Sequence, residues 1–328
     1  MNRLALTLLT VSLLAGCSSR DPLTDPHPLD EFGPMLAAAA EEGNIAMLCG
    51  DTDWPEPEPL SPTVQGEDLW QRMRAGFALD LERDDPRITA ERNWLIRNPQ
   101  YVERVTTRAQ RYLHHIVEQA EARQVPLELA LLPIVESAFD PFAYSHGRAS
   151  GPWQFIPSTG RAFGLRQDYW YDGRRDILAS TDAALEYLSR LAKRFDGDWE
   201  LALASYNAGG GTVSRAITRN RKRNRPTDYW HLELPRETRA YVPKLIAISQ
   251  IVRDPERYGL ALAPIANQPY FTVIDTGGQL DLQLAADMAG VDVSEIYYLN
   301  AGYSRWSTPP AGPHRLLVPV AAADALQQ

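Results

Sequence analysis

The chain has 328 residues, 44% hydrophobic and 23% charged, which excludes a disordered or collagen-like protein and fits about two globular domains. Its 42 acidic and 33 basic residues give a net charge of -9, so no nucleic-acid partner is expected. Two cysteines cannot build a disulfide framework, and neither zinc-ligand spacing nor a glycine-rich nucleotide motif occurs, so no metal and no cofactor are predicted.

The first residues read as an export signal. Arg3 precedes an apolar stretch, residues 4–16, that is too short to cross a bilayer but fits a signal peptide. The sequence LAGC at 14–17 resembles the lipobox of bacterial lipoproteins, which implies cleavage after residue 16 and lipid on Cys17. By the same resemblance, Ser18 indicates the outer membrane of a Gram-negative bacterium, facing the periplasm. The alternative is a plain secretory signal in which Cys17 is incidental.

A tether is predicted over residues 17–67. Residues 21–67 contain eleven acids, eight prolines and no Lys or Arg. Charge repulsion and proline stiffness favour an extended segment that lets a membrane-anchored domain reach outward. The alternative is a disordered leader with no task of its own.

Helical periodicity begins at residue 68 and continues to about residue 259. Apolar residues recur at three- and four-residue spacing over 99–120, after an N-cap at Asn98, and predict one helix there. A second helix is predicted to open at Pro126 and to close at Asp140-Pro141, because a residue before proline is pushed out of helical geometry.

Caps at Ser180 and Asp198 predict two further helices, the second ending at the glycine run of residues 207–211. Residues 237–252 predict another helix. A basic run at 215–225 is interpreted either as attracting acidic peptides or as a solvated surface loop. Because no stretch alternates with period two, the domain over 68–263 is predicted to be almost entirely α-helical.

Glu136 is the candidate catalytic residue. It ends the apolar run 131–135, and Phe139 follows it. A carboxylate in apolar surroundings loses solvation of its charged form, so its pKa is expected to rise towards the range of a general acid. The alternative is that Glu136 lies on the wet side of its helix.

Aromatic residues are concentrated after this glutamate, nine of them within residues 139–171. Flat rings with polar edges stack on the apolar faces of sugars, and the polar side chains of Ser145, Gln154 and Asn207 can address hydroxyl and acetamide groups. The alternative is that most rings belong to the core. In an exported chain without a metal or nucleotide motif, this pattern indicates a carbohydrate site. The rings are Phe139, Phe142, Tyr144, Trp153, Phe155, Phe163, Tyr169, Trp170 and Tyr171.

Three ordered motifs resemble those of the lytic transglycosylase (SLT) family. They are ESAFDP at 136–141 with Ser145 and Gln154 beyond it, SYNAG at 205–209, and ET at 237–238 with YV at 241–242. Together with the lipobox, they make the whole chain similar to the membrane-bound members of this family. The chain departs from the pattern at Arg148, where many relatives have glycine, and at Pro152-Trp153, which replaces Leu-Met.

The resemblance implies a lysozyme-like α fold that cleaves the β-1,4 bond between N-acetylmuramic acid and N-acetylglucosamine of peptidoglycan. Glu136 is then the single general acid and base, the sugar's own C6 hydroxyl attacks, and 1,6-anhydromuramyl products form without water. Asp140, beside Pro141, is interpreted as a turn residue rather than a second catalytic acid. The residues implied to hold substrate are Ser137, Ser145, Gln154, Phe155, Tyr206, Asn207 and Tyr241, the last also bonding Glu136.

Two other functions stay open at this point. One is a hydrolase similar to goose-type lysozyme, which needs a second acid that the sequence does not locate. The other is a non-catalytic lipoprotein that only binds peptidoglycan. The sequence does not identify which proteins, if any, this chain binds.

A smaller unit follows a linker that begins at Pro264. A strand at 270–274, a helix ended by Gly290, a helix capped by Ser294 and a strand at 316–320 are predicted. This βααβ order over 264–328 resembles a LysM module, which binds the N-acetylglucosamine of the glycan. The alternative is a purely structural cap.

Overall fold

The computed structural model describes residues 68–326. The predicted signal peptide, the predicted lipidation site Cys17 and the predicted tether lie outside the described residues. Within 68–326, none of the helices combines the length and apolarity that crossing a bilayer requires. The same part of the chain contains no group of three or more His, Cys, Asp or Glu side chains placed to hold a metal ion.

The larger unit is built from α-helices and short 3₁₀ turns, and only isolated β-bridges occur between residues 68 and 269. This confirms the mainly α prediction. The helices are α1 (Leu69–Ala75), α2 (Pro86–Arg97), α3 (Pro99–Ala109), α4 (Leu113–Ala122), α5 (Leu132–Ser137), α6 (Pro157–Ala162), α7 (Ile177–Arg194), α8 (Trp199–Ala208), α9 (Gly210–Lys222) and α10 (Arg236–Arg253).

The long helix predicted over 99–120 is wrong in one respect, because the chain breaks it between α3 and α4. Arg111 and Tyr112 lie in the break and are 1% and 0% exposed. The break turns both side chains towards the C-terminal unit, where the Tyr112 hydroxyl donates to the carbonyl of Tyr298 at 3.0 Å. Asn98 does not cap α3 through its side chain. The side-chain amide of Asn98 instead donates to the carbonyl of Trp94 at 2.7 Å, at the C-terminal end of α2.

One helix begins at a different cap from the predicted one, and the predicted glycine breaker interrupts the helices at a single residue. Asp176, not Ser180, caps α7 and accepts from the amide of Ala179 at 2.9 Å, because an aspartate stood one turn earlier in the sequence. Asp198 caps α8 as predicted. The glycine run interrupts the helices only at Gly209, whose φ is 81°, and α9 begins at the next residue. The basic run is therefore mostly helical rather than a loop, although its Lys and Arg residues are exposed on the surface as that interpretation predicted.

Helix α10 is the central element of the core, as the prediction over 237–252 required. It packs against α2 on one side and α8 on another, and α8 packs in turn against α7. Most of its residues after Ala240 are buried, including Val242, Leu245 and Ile246, each with no exposed surface. Burying a side chain of this size contributes roughly 1.5–3 kcal/mol. The helix that carries Tyr241 is thus held on several sides.

The C-terminal unit has the predicted strand, helix, helix, strand order. Strand β1 (Phe271–Asp275) pairs antiparallel with β2 (Arg315–Pro319), with Phe271 opposite Pro319. Between them lie α11 (Leu282–Ala289) and α12 (Val293–Leu299), and a short α13 (Ala323–Leu326) follows. Gly290 ends α11 in a left-handed conformation, as predicted. Asp292, rather than Ser294, caps α12 by accepting from the Ser294 amide at 2.8 Å.

One apolar core crosses the predicted domain boundary at residues 263/264. Tyr270, Leu299 and Leu317 of the C-terminal unit are buried in the same cluster as α10. Beside them, the guanidinium of Arg111 forms a salt bridge with Glu295 at 2.6 Å, and both side chains are almost wholly buried. We call this boundary between the two units the seam.

Candidate active site

Glu136 lies in the last turn of α5, a helix of only six residues that the buried 3₁₀ segment Leu127–Leu131 leads into. Ala138 and Phe139 follow with φ of 51° and 58°, an unusual conformation for residues other than glycine. Phe139 is fully buried, and its ring stacks on that of Tyr112 at 6.4 Å. Such strain, about 1–3 kcal/mol per residue, persists where packing overrides it and clusters at functional sites.

The carboxyl group of Glu136 is half-buried, so it does not lie on the wet side of its helix. The hydroxyl of Tyr241, on α10, donates a hydrogen bond to its Oε1. Burial raises the pKa of Glu136 to about 7, although this hydrogen bond, which favours the carboxylate, opposes the rise. No residue within 68–326 hydrogen-bonds the other oxygen, Oε2. One oxygen is held by the protein and the other is open to exchange a proton.

The second motif, SYNAG, meets the third across α8 and α10. The charge of Glu136 acts on Tyr206, whose hydroxyl donates to the carbonyl of Trp153 at 2.8 Å. The side chain of Asn207 donates to Glu237 Oε1 at 3.2 Å and accepts from the Thr238 hydroxyl at 2.7 Å. The structure therefore brings all three predicted motifs to one place.

A hairpin-like loop, residues 143–155, carries the predicted Ser145 and Gln154. The Ser145 hydroxyl accepts from the amide of Ala149 at 3.0 Å and closes the loop tip. The Gln154 amide nitrogen donates to the carbonyls of Gly151 and Ala143 at 2.9 and 3.2 Å. Its side-chain oxygen accepts no hydrogen bond within the described part of the chain, and the residue is partly exposed. Gln154 is thus positioned to accept a hydrogen bond from a ligand.

Two predicted substrate contacts are placed differently. Ser137 is 1% exposed, and its hydroxyl lies 3.0 Å from the carbonyl of Pro152 and 3.2 Å from that of Pro133. Phe155 is 2% exposed and packs its ring against Tyr206 at 6.2 Å. Neither reaches a surface that a sugar could touch, because the chain uses both to hold the loop against α5 and α8. They are supporting residues in this structure.

Arg174 is a supporting residue that the sequence analysis missed. Its buried guanidinium pairs with Asp172 at 2.7 Å and donates to the carbonyls of Arg148 and Phe155 at 2.6 and 3.2 Å. A cation fixed by one carboxylate and two backbone oxygens cross-links the tip of the loop, at Arg148, to its end at Phe155. The only signal in the sequence was the segment DGRRD at 172–176, in which Arg174 lies between two aspartates just before α7 begins.

Gly151 sets the path of the same loop. Its φ is 82°, and a Cβ at this position would lie 1.9 Å from the carbonyl oxygen of Arg174. Gly164 has a similar φ of 78° with nothing within 4 Å of a Cβ, so Gly164→Ala isolates the backbone strain. We expect Gly151→Ala to lower the free energy of unfolding by about 2 kcal/mol more than Gly164→Ala, as overpacking does. Chemical denaturation checks this; equal losses would contradict the close approach.

Two further carboxylates bear on the chemistry. Asp140 accepts from the amide of Phe142 at 2.8 Å, which confirms its role as a turn residue, and burial raises its pKa to about 6. Asp140 is not among the groups that shift the pKa of Glu136. Glu237 is one of these groups, because its negative charge raises the pKa of Glu136. Glu237 itself is exposed at the start of α10. The acid electrostatically linked to Glu136 is therefore one that the sequence analysis read only as part of a motif.

Two family models match this chain, and together they define its class. The model described as "Transglycosylase SLT domain" matches residues 114–228, and that described as "Lytic transglycosylase MltD, LysM-like domain" matches residues 270–328. The first contains Glu136 and SYNAG, and the second contains both strands of the C-terminal unit. The class is that of SLT-type transglycosylases with a LysM-like unit, as the sequence predicted.

Individual relatives narrow this class. "Membrane-bound lytic murein transglycosylase D" of Escherichia coli (strain K12) is 40% identical over 321 residues, covering 98% of this chain and 69% of that protein. The chain belongs to the family of membrane-bound lytic murein transglycosylase D. A "Putative tributyltin chloride resistance protein" of Alteromonas sp. (strain M-1) is 39% identical over 52% of this chain and 80% of its own. A solved structure of Pseudomonas aeruginosa lytic transglycosylase Slt, an inactive mutant, aligns with 45% of this chain and 24% of that one, at 24% identity and a TM-score of 0.33.

Proposed function

We propose that this protein is a lytic transglycosylase that cleaves the β-1,4 bond between N-acetylmuramic acid and N-acetylglucosamine in peptidoglycan, with Glu136 as its single general acid and base. The observation that carries the proposal is the half-buried Glu136, with one oxygen bonded by Tyr241 and the other unbonded by any described residue. Membership in the transglycosylase D family supports the same substrate.

The reaction needs a group that first gives and then takes one proton. With a pKa of about 7, Glu136 is divided between its acid and carboxylate forms near neutral pH. As an acid it protonates the glycosidic oxygen while the bond from C1 to that oxygen breaks. As a carboxylate it takes the proton of the C6 hydroxyl of the same muramic acid while that oxygen bonds to C1. The atoms balance without water, and the product is a 1,6-anhydromuramyl end.

The surrounding side chains position this chemistry. Tyr241 holds Oε1 and fixes the orientation of the carboxyl group. Gln154 and Asn207 are partly exposed, and we propose that they contact sugar substituents together with Ser145 and Tyr206. Ser137 and Phe155 act by holding the loop in place. Preorganised polar groups of this kind stabilise charge that develops in the transition state.

A hydrolase is the second candidate because Glu237 is electrostatically linked to Glu136. Hydrolysis with two acids requires the second carboxylate as a nucleophile or as a base for water. Oε1 of Glu237 instead accepts from Asn207 at 3.2 Å, which commits it to holding two motifs together. The single-acid route is therefore favoured.

Product mass decides between the two routes. Purified sacculi digested with the full chain are expected to release muropeptides that are lighter by one water than hydrolysis products, because the muramic acid closes its own ring. Mass spectrometry of these products measures the difference directly. Release of products that carry the added water would show that the protein is a hydrolase. If no products were released from sacculi that a known muramidase digests, the protein would be a non-catalytic lipoprotein that only binds peptidoglycan.

The Tyr241→Phe variant tests the hydrogen bond to Glu136 through pH. The reaction starts from protonated Glu136, so kcat/KM should fall as pH rises through its pKa of about 7. Removing a bond that favours the carboxylate raises this pKa, so the falling limb should move up by about one pH unit. In Tyr206→Phe, which loses a bond to a backbone carbonyl, the limb should stay in place. A limb that moves down in Tyr241→Phe would contradict the assignment.

We further propose an outer-membrane lipoprotein facing the periplasm, anchored by lipid on Cys17. The support is the lipobox sequence and the membrane-bound name of the relative. The proposed organisation is a signal peptide over 1–16, a tether over 17–67, a catalytic domain over 68–263 and a LysM-like unit over 264–328. Labelling with radioactive palmitate, lost in Cys17→Ala, tests the anchor.

A further inference from the structure

Three aromatic rings form an exposed platform across the seam. Tyr169 and Trp306 are 56% and 40% exposed, and Trp170 stands between them, partly exposed. The ring centroids of Tyr169 and Trp170 are 5.6 Å apart, and those of Trp170 and Trp306 are 6.1 Å apart. Two of these rings come from the catalytic domain and one from the C-terminal unit. Contiguous exposed aromatic surface of this kind marks binding sites more often than isolated rings do.

The platform is rigid on both sides. Asp168 Oδ1 accepts from the amides of Trp170 and Tyr171 at 2.8 and 2.9 Å, which fixes the turn that presents the rings. Across the seam, the amide of Ser304 donates to the carbonyl of Trp170 at 2.8 Å. The carbonyl of Trp306 accepts from the amide of Leu282 at 2.7 Å. The backbone that carries the rings is thus fixed before any ligand arrives, which lowers the entropic cost of binding.

A single uncompensated cation lies on the platform. The guanidinium of Arg305 covers the ring of Tyr169 at 3.7 Å, and it has neither a salt bridge nor a hydrogen bond with any residue in 68–326. The neighbouring Arg166 is different, because Asp168 neutralises it at 2.8 Å. In a chain of net charge -9, a free arginine among exposed rings favours a ligand with apolar faces and an anionic substituent.

The platform also shares its support with the active-site loop. Asp172, two residues after Trp170, pairs with Arg174, and Arg174 donates to the carbonyl of Phe155 beside Gln154. A polymer bound on the rings is therefore held by the same rigid segment that holds the catalytic loop. Binding at both places suits a long substrate rather than a small molecule.

We propose that Tyr169, Trp170 and Trp306 form a second glycan-binding site, remote from the reacting bond, that holds a peptidoglycan strand by stacking on its N-acetylhexosamine rings. Arg305 binds a carboxylate of a stem peptide on the same strand. This inference rests on the proposed function for the identity of the strand, and it gives the LysM-like unit a binding role that is shared with the catalytic domain.

The test measures co-sedimentation of the full chain with purified sacculi, in a Glu136→Gln background so that the sacculi stay intact. The double variant Tyr169→Ala/Trp306→Ala should weaken binding about tenfold, which is about 1.4 kcal/mol, because aromatic residues at the centre of a binding surface carry much of its affinity. Trp306→Phe retains a ring and should recover part of the loss. The matched control is Leu284→Ala, which removes a 50% exposed side chain of the same unit and should bind like the parent.

Arg305→Gln separates the two parts of the site. It should weaken binding to sacculi with stem peptides severalfold and leave binding to sacculi stripped by an amidase unchanged. Parent-like binding by both the double variant and Trp306→Ala alone, each folded by circular dichroism, would overturn the platform. An equal loss in Leu284→Ala would do the same. Failure of the proposed function looks different, because the active full chain would then release no anhydromuropeptides while the platform variants still lost binding.

Discussion

Glu136→Gln is expected to reduce the rate of muropeptide release by about 10³-fold, within the range that general acid–base catalysis contributes. The amide matches the carboxyl group in size and can still accept the hydrogen bond from Tyr241, so the local structure should persist. It can neither donate the proton that the leaving oxygen needs nor reclaim one from the C6 hydroxyl. Turnover of sacculi followed by chromatography measures the loss, and thermal unfolding confirms that the variant is folded.

Glu237→Gln is the matched control for this result. Its amide oxygen can still accept from Asn207, so the link between α8 and α10 should survive and activity should fall severalfold at most. Because Glu237 raises the pKa of Glu136, its neutralisation should also move the falling limb of the pH profile to lower pH. If Glu237→Gln removed as much activity as Glu136→Gln, two acids would be required and the single-acid mechanism would be wrong.

Glu295→Ala should lower the free energy of unfolding by about 3–5 kcal/mol, because it removes the carboxylate that neutralises the buried charge of Arg111. Glu295 accepts from Arg111 at 2.6 Å and from the Tyr270 hydroxyl at 2.9 Å, so the change removes an acceptor that two donors share at the seam. Urea denaturation followed by circular dichroism measures the loss. A cost this large would make the seam one of the most sensitive places in the protein.

Two variants bracket that prediction. Glu186→Ala breaks an exposed pair with Arg190, whose side chains are 45% and 64% exposed, and should cost no more than about 0.5 kcal/mol. Replacing both buried partners, in Arg111→Met/Glu295→Leu, should recover much of the stability, because the buried positive charge is removed together with its counter-charge. A Glu295→Ala loss as small as that of Glu186→Ala would mean that water reaches Arg111 and that the seam is open.

The helical periodicity and the three motifs were enough to predict the fold class and to bring Glu136, Tyr206, Asn207 and Tyr241 together. The periodicity succeeded because apolar spacing reports which face of a helix is buried, and the motifs succeeded through family resemblance. The hydrogen bond from Tyr241 to Glu136 was implied by family resemblance alone, and the geometry contains it. Spacing along a chain carries no information about contacts between residues 105 positions apart.

What the sequence did not reveal depends on tertiary contacts. Ser137 and Phe155 stand in the motif beside residues that are partly exposed, and only the folded loop shows that they face inward. The break after Ala109 follows no glycine or proline; it occurs where Arg111 and Tyr112 find partners in the C-terminal unit. Arg174 acts on backbone carbonyls, which no sequence motif records.

The apolar cluster shared across the seam bears on how this chain can be recombined. Leu299 and Leu317 complete a cluster most of whose other members lie in the catalytic domain. If residues 270–328 were transplanted to another protein, the side of the unit that is buried at the seam, including Glu295, would become exposed to solvent. Substitutions at Arg111 and Glu295 should therefore occur together during evolution. A copy of this unit that is recombined into another protein would need a complementary apolar surface there before it could fold stably.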